Sequence, residues 1–285
     1  MKGAIIGDIV GSIYEFHNIK TKDFPLFTQT CSFTDDTVMT CAVANAFRLA
    51  DLNGRPILPE LVTSMQGFGR RFPYRGYGGR FEGWLYEAHP QPYYSYGNGA
   101  PMRVSAMGLL GDTPERAREL GMVSALPTHN HPASLRAAGL TAELIWLARH
   151  GTSREDLRVK AESVYQLPKL DALRDSYSFD VSCAGTMPVA LAAFFESTDF
   201  EDAIRNAISM GGDSDTIAAI TGCIAEAFYG VPLNLWLEAR RYLTATLAQV
   251  VDEFYDYAEA EVRYPTGIGA TGLLNADELK LYETL

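Results

Sequence analysis

Apolar positions recur with a helical period along most of the chain, and the alternating runs that mark half-buried strands are scarce. Val38, Met39, Cys41, Ala42, Val43, Ala46 and Phe47 predict a helix over 37–49. Further helices are expected over 59–70, 101–110, 114–126, 132–150, 153–164, 183–196, 200–210, 217–229 and 232–256. Pro114 and Pro132 stand at or near a first helical position, where a missing N–H does no harm. The stretch 217–229 is almost continuously apolar, which predicts a buried helix. The chain opens on a helix over 3–16. There Gly3, Gly7 and Gly11 form one small-residue stripe that another backbone can approach closely. Asp8 and Glu15 are expected on one face of it, roughly 10 Å apart along the axis. The exception to this pattern runs from Phe72 to Gly99. It is rich in aromatics, glycines and prolines and reads as a long loop, a kind that is usually functional. No linker, repeat or low-complexity tract interrupts the chain. The expectation is one all-α domain over 1–285, with about a dozen helices.

Composition narrows the picture. Of 285 residues, 47% are hydrophobic, enough for a substantial core. A formal net charge of −11 disfavours non-specific nucleic-acid binding, which draws on basic patches. An anionic small ligand would need local donors or metal ions against that field. Cys31, Cys41, Cys183 and Cys223 form no C-x-x-C pair, so buried thiols are expected rather than a zinc site or disulfides. Asp8 comes too early for a signal peptide, and no apolar run reaches the ~20 residues of a membrane span. A cytoplasmic protein is expected, with no membrane partner.

Two acidic clusters carry the chemistry: Thr34-Asp35-Asp36-Thr37 and Asp213-Ser214-Asp215-Thr216. Each opens a helix-like run, and each taken alone could be a helix cap. Two adjacent Asp exceed what one cap requires, however. The helix after Asp215 is so apolar that its acids should lie deep, and no Lys or Arg occurs within the ten residues that follow. Buried carboxylates must be paired or bind metal. Hard divalent cations favour such oxygen ligands, and four clustered charges match two of them. Next comes Ser95-Tyr96-Gly97-Asn98-Gly99, running into Met102-Arg103. Its glycines would let backbone N–H groups reach an oxyanion, although the triplet is also ordinary turn punctuation. The tyrosines nearby could stack on a purine or simply pack. In Thr128-His129-Asn130-His131-Pro132 both histidines could point into a loop site or be unremarkable. Glu15 follows a glycine-lined apolar segment and is expected to be shielded from solvent.

Five ordered segments resemble the ADP-ribosylglycohydrolase family, whose bacterial type is the dinitrogenase reductase-activating glycohydrolase. They are Gly7-Asp8-x-x-Gly11-x-x-Tyr14-Glu15, Phe33-Thr34-Asp35-Asp36-Thr37, Gly97-Asn98-Gly99-x-x-Met102-Arg103, His129 to Pro132, and Gly211-Gly212-Asp213-Ser214-Asp215-Thr216. The resemblance implies an all-α orthogonal bundle holding two Mg²⁺ or Mn²⁺ ions. It implies Thr34, Asp35, Asp36, Asp213, Asp215 and Thr216 as metal ligands, with Glu15 or Asp35 taking a proton during catalysis. Gly97, Asn98 and Gly99 would hold a pyrophosphate. Tyr96 would lie beside the adenosine, and Met102 and Ser214 would complete the substrate contacts. His131, ahead of His129, would approach the distal ribose or phosphate. The implied activity is hydrolysis of the bond between ADP-ribose and a protein side chain of arginine or serine type, or a small acceptor. A nucleic acid would enter only as an ADP-ribosylated acceptor. Acceptor preference is expected in 165–181 and 72–92, which match no usable pattern. The rival readings are a silent ADP-ribose-binding or structural member of the fold, and a different dinuclear-metal phosphohydrolase.

Overall fold

The computed structural model describes residues 1–259, which form fourteen α-helices and no β-sheet. In chain order these are α1 (Lys2–Gly11), α2 (Asp35–Leu52), α3 (Ile57–Arg71), α4 (Gly79–Leu85), α5 (Met107–Leu110), α6 (Pro114–Ala125) and α7 (Pro132–Arg149). Then come α8 (Arg154–Glu162), α9 (Leu170–Leu173), α10 (Cys183–Phe195), α11 (Phe200–Ile208), α12 (Ser214–Tyr229), α13 (Leu233–Arg240) and α14 (Ala245–Glu259).

The core is organised around the antiparallel pair α1 and α12. A Cβ on Gly7 would fall 2.1 Å from the Ala218 carbonyl oxygen, so only glycine permits this approach. Gly3 meets Gly222 and Gly11 meets Asp215 in the same way. The small-residue stripe thus exists to seat α12. The far sides of α12 are covered by α7, α10 and α11, while α2 packs on α1, α3 and α14. Nearly every position of α12 from Ser214 to Ala225 is buried, as its apolar run predicts. Because the pair is antiparallel, the C-terminal end of α1 coincides with the N-terminal end of α12. The N-terminal end of α2 joins them there, through hydrogen bonds to Asp8.

Several expected elements change. The first helix stops at Gly11 rather than 16. Ser12 Oγ donates to the Ile9 carbonyl and the Tyr14 N–H bonds back to Gly11, so the chain turns away. Asn18 Nδ2 then bonds the carbonyls of Tyr14, Glu15 and Gly212, while its Oδ1 accepts the Gly212 N–H. Glu15 therefore rides on a pinned turn and shares no helix face with Asp8. The 72–99 loop contains α4, whose Phe81, Trp84 and Leu85 are buried. The 101–110 helix is a 3-10 turn over Pro101–Arg103 followed by α5. The closing helix divides at 241–244. Thr244 there accepts N–H bonds from Leu247 at its hydroxyl and from Ala248 at its carbonyl. The four cysteines are free and buried, as expected. No helix among the described residues is long and apolar enough to cross a membrane.

Candidate active site

The meeting point of α1, α2 and α12 is acidic. Asp8 is wholly buried and accepts the N–H groups of Thr34 (3.0 Å) and Thr37 (3.1 Å), and both of their hydroxyls. Thr34 caps α2, its Oγ1 accepting the Asp36 N–H. Asp36 is 2% exposed. Its Oδ2 accepts from Thr216 Oγ1 at 3.0 Å, whereas its Oδ1 has no hydrogen-bond partner. Asp213 Oδ2 accepts from Asn98 Nδ2 at 2.7 Å. Asp35 is half-buried, with Gly76 folded against its Oδ1. Glu15, also half-buried, reaches over from its turn.

Oxygens of Asp8, Asp36 and Asp215 lie within 4.8 Å of one another, and so do those of Glu15, Asp213 and Asp215. Asp215 belongs to both groups. Each group could hold a metal ion. No ion pair among the described residues reaches any of these acids. Burial, reinforced by the neighbouring charges, pushes the carboxyls of Asp35, Asp36 and Asp215 well above the usual range. Glu15 is pushed up to about 7, by burial first and then by Asp213 and Asp8. An all-oxygen donor set, an orphaned Oδ1 and uncompensated charge fit hard divalent cations.

Glu15, Asp35, Asp36, Asp213 and Asp215 form the floor of a cavity of about 540 Å³, with Asp8 beneath it. One wall is the strap 93–99. It is zipped to 181–183 by the Asn98 N–H to Val181 and the Cys183 N–H to Tyr96. Tyr96, Gly97, Asn98, Gly99, Met102 and Thr216 all line the cavity. Asn98 differs in detail: its N–H and its Nδ2 are spent on Val181, Thr186 and Asp213, so it acts as a girder between strap and floor. Tyr94, on the same strap, sits at φ 58°, a left-handed conformation that is uncommon outside glycine.

Of the two histidines, His129 stands in the cavity wall and His131 does not. His129 lines the cavity behind Gly99, with Nδ1 bonded to Thr128 Oγ1 at 2.8 Å. Burial and the adjacent Arg103 hold its pKa well below the usual value, so it is neutral. His131 lies off the wall and caps α7, accepting the Ala133 N–H at 3.0 Å and packing against Tyr94 and Tyr96. Ser214 is also off the wall, its hydroxyl turned to the Gly11 carbonyl. Thr34 is engaged with Asp8 beneath the floor.

Asp8, the deepest acid, belongs to the opening motif with Glu15 but is not among the expected metal ligands. Its signal is a lone acid in an apolar, glycine-striped helix, where a carboxylate must find a partner. Gly76, Gly78, Gly79, Arg80 and Phe81 form a second wall from the aromatic stretch. Phe16 and Phe179, 75% and 49% exposed, stack at 6.3 Å along the rim.

A family model described as ADP-ribosylglycohydrolase matches residues 1–263. The chain is 26% identical to the ADP-ribosylhydrolase ARH3 of Mus musculus, covering 81% of this chain and 83% of that one. It is 25% identical to the ADP-ribosyl-[dinitrogen reductase] glycohydrolase of Rhodospirillum rubrum, covering 80% and 84%. It is likewise 25% identical to an ADP-ribosylarginine hydrolase of Serratia proteamaculans, over 80% and 70%. Among solved structures, a chain titled ADP-ribosylglycohydrolase-related protein complex superposes with a TM-score of 0.65 at 22% identity. It covers 90% of this chain and 95% of its own length, a likeness of fold.

Proposed function

Because the chain belongs to the ADP-ribosylglycohydrolase family and is a hydrolase of ADP-ribose linkages, we propose that it frees ADP-ribose from a modified protein side chain, of arginine or serine type, or from a small acceptor. We place the chemistry at the carboxylate floor, in the presence of two divalent cations, Mg²⁺ or Mn²⁺. The observation that carries this reading is the pair of carboxylate groups joined through Asp215.

Asp8, Asp36 and Asp215 would hold one cation, and Glu15, Asp213 and Asp215 the other. Asp35 is close enough to the floor to contribute, and Thr216 Oγ1 already lies against Asp36. Bound cations supply Lewis acidity and positive charge toward the hydroxyls of the distal ribose. The protein's own groups do the rest. Cleavage passes through an oxocarbenium-like state at the anomeric carbon, which the negative floor stabilises. Glu15, at the edge of the floor, takes the proton of the attacking water as the bond to the acceptor breaks, and the departing nitrogen or oxygen takes up a proton from solvent. The strap with Gly97 and Gly99 receives the pyrophosphate, His129 backs it as a neutral ring, and Tyr96 lies beside the adenosine.

The test is product identification from arginine-, serine- and nucleic-acid-linked ADP-ribosyl substrates, with and without chelator. Release of intact ADP-ribose that stops on chelation supports the reading. Release of AMP would mean cleavage at the pyrophosphate, hence a phosphohydrolase. Binding without release would mean a silent member of the fold.

A further inference from the structure

The cavity is strongly acidic, yet the proposed substrate is an anion. Glu15, Asp35, Asp36, Asp213 and Asp215 line it, and among the described residues only Arg80 and Arg103 are cationic lining groups. Arg103 is 1% exposed. Its guanidinium is turned into the protein, donating to Thr128 Oγ1 at 2.8 Å and to the Ser124 carbonyl. Arg80 is the opposite case. It is exposed, it has no carboxylate partner among the described residues, and its guanidinium lies 4.6 Å over the Tyr93 ring.

That stacking is informative. A guanidinium held over a ring face by its π cloud keeps N–H donors free for phosphate oxygens, two of which the planar fork can meet at once. Tyr93 is itself fixed, its N–H bonded to the Thr128 carbonyl and its ring tilted against His129. It lies on the same strap as Gly97–Gly99. At the other end of the second wall, next to Gly76, the Arg75 carbonyl accepts the N–H of Asp35 on the floor. Arg80 is four residues beyond Gly76. The second wall thus runs from the floor, where the distal ribose would sit, to the strap, where the pyrophosphate would sit.

We propose that Arg80 binds the diphosphate of ADP-ribose and makes the site select a diphosphate over an uncharged or monophosphate ligand. This rests on the functional reading above but assigns a residue that the reading does not need. Arg80 acts on binding; it touches neither the anomeric carbon nor the carboxylate floor.

The test compares wild type with Arg80→Gln and Arg80→Lys, by calorimetric titration with ADP-ribose, AMP and adenosine and by steady-state kinetics. Arg80→Gln should weaken ADP-ribose about tenfold or more, the scale of a charge-assisted hydrogen bond. It should weaken AMP less and leave adenosine unchanged. KM should rise by a similar factor, with kcat within about twofold. Arg80→Lys should recover part of the affinity. Wild-type affinity for ADP-ribose should fall more steeply with salt than that of Arg80→Gln. Equal ADP-ribose affinity in wild type and Arg80→Gln overturns the proposal and leaves the hydrolase reading intact. An equal loss toward ADP-ribose and adenosine also overturns it, because Arg80 would then only brace Tyr93. A wild type that neither binds nor releases ADP-ribose removes both.

Discussion

Two buried carboxylates among the described residues each keep one oxygen without a hydrogen bond: Asp36 Oδ1 and Glu143 Oε2. Their surroundings are opposite. Glu143 projects from α7 between α6 and α8. Lys160 Nζ approaches its Oε1 at 2.6 Å and Arg118 Nη1 its Oε2 at 3.6 Å. The chain supplies the cations, and the carboxylate serves as a joint between helices. Asp36 projects from α2 toward Asp8, Asp35 and Asp213, and its one neutral donor is Thr216. Here the chain supplies more anions and no cation. Leaving such charge uncompensated is costly in a low-dielectric interior, so the compensation has to come from outside the polypeptide. Burial is common to both sites; what separates a functional acid from a structural one here is the sign of its neighbours.

The sharpest way to break that comparison is to neutralise one acid at each place. Asp36→Asn or Asp215→Asn should lower kcat/KM by about a thousandfold or more, since removing a single well-placed electrostatic group commonly costs ~10²–10³. The melting temperature of the chelated protein should stay level or rise, because repulsion is relieved. A variant retaining full turnover would take its residue out of the centre. Glu15→Gln comes next. It removes a proton acceptor while preserving shape, so kcat should fall about a hundredfold, with ADP-ribose affinity changed less than about threefold. Equal losses in both quantities would make Glu15 a structural residue.

Proton and cation linkage distinguishes the sites more gently. Asp35, Asp36, Asp215 and Glu15 have raised pKa values in the folded state, so without cations the fold holds their protons more tightly than the unfolded chain does. The stability they contribute is complete below the unfolded values, near 4, and is lost as pH rises through the folded ones, up to about 7 for Glu15. Chelated protein should therefore melt lower at pH 7.5 than at pH 5. Added Mg²⁺ or Mn²⁺ should restore stability, by about 2–3 kcal/mol at a hundredfold excess over Kd, and more at pH 7.5 than at pH 5, where protons compete. A chelated protein that gains stability across that interval would contradict the picture of an uncompensated acidic floor.

Much of this was readable from residue order. The bodies of α2, α3, α6, α7, α8, α10 and α11 follow from apolar periodicity and, for α6 and α7, from an N-terminal proline. The glycine stripe announced a close helix partner, and α12 announced its burial. The Asp pairs at the starts of α2 and α12 announced the floor, because two acids exceed a cap. Tertiary bonds decided what was missed. The local bonds of Ser12 and Tyr14 that end α1 leave no mark in the apolar pattern, and the turn is also held from across the chain by the grip of Asn18 on Gly212. The proline- and glycine-rich composition around α4 hid a short helix that its buried Phe81, Trp84 and Leu85 sustain. His129 and His131 are two positions apart in a loop, and only the strap packed behind Gly99 chooses between them. Arg80 gave no signal at all, since an exposed arginine means nothing until it is seen above an acidic cavity.

The smallest expected effect is the control that gives the comparison its meaning. Glu143→Gln removes a buried charge of the same kind as Asp36→Asn, from a site with cations built in. Lys160 and Arg118 are 36% and 43% exposed, so both can turn to water when their partner is neutralised. That exposure caps the loss at about 1 kcal/mol, the range of partly solvated ion pairs, and amide hydrogen bonds can retain part of it. Turnover and the cation-induced rise in melting temperature should match wild type within error. The sign at Glu143 is opposite to that at Asp36: neutralising the paired acid destabilises, and neutralising the unpaired one does not. Should Glu143→Gln abolish turnover, or Asp36→Asn destabilise the chelated protein more than Glu143→Gln does, the sign of the neighbouring charge would no longer separate the two carboxylates. The acidic floor would then be a structural feature of the helix junction.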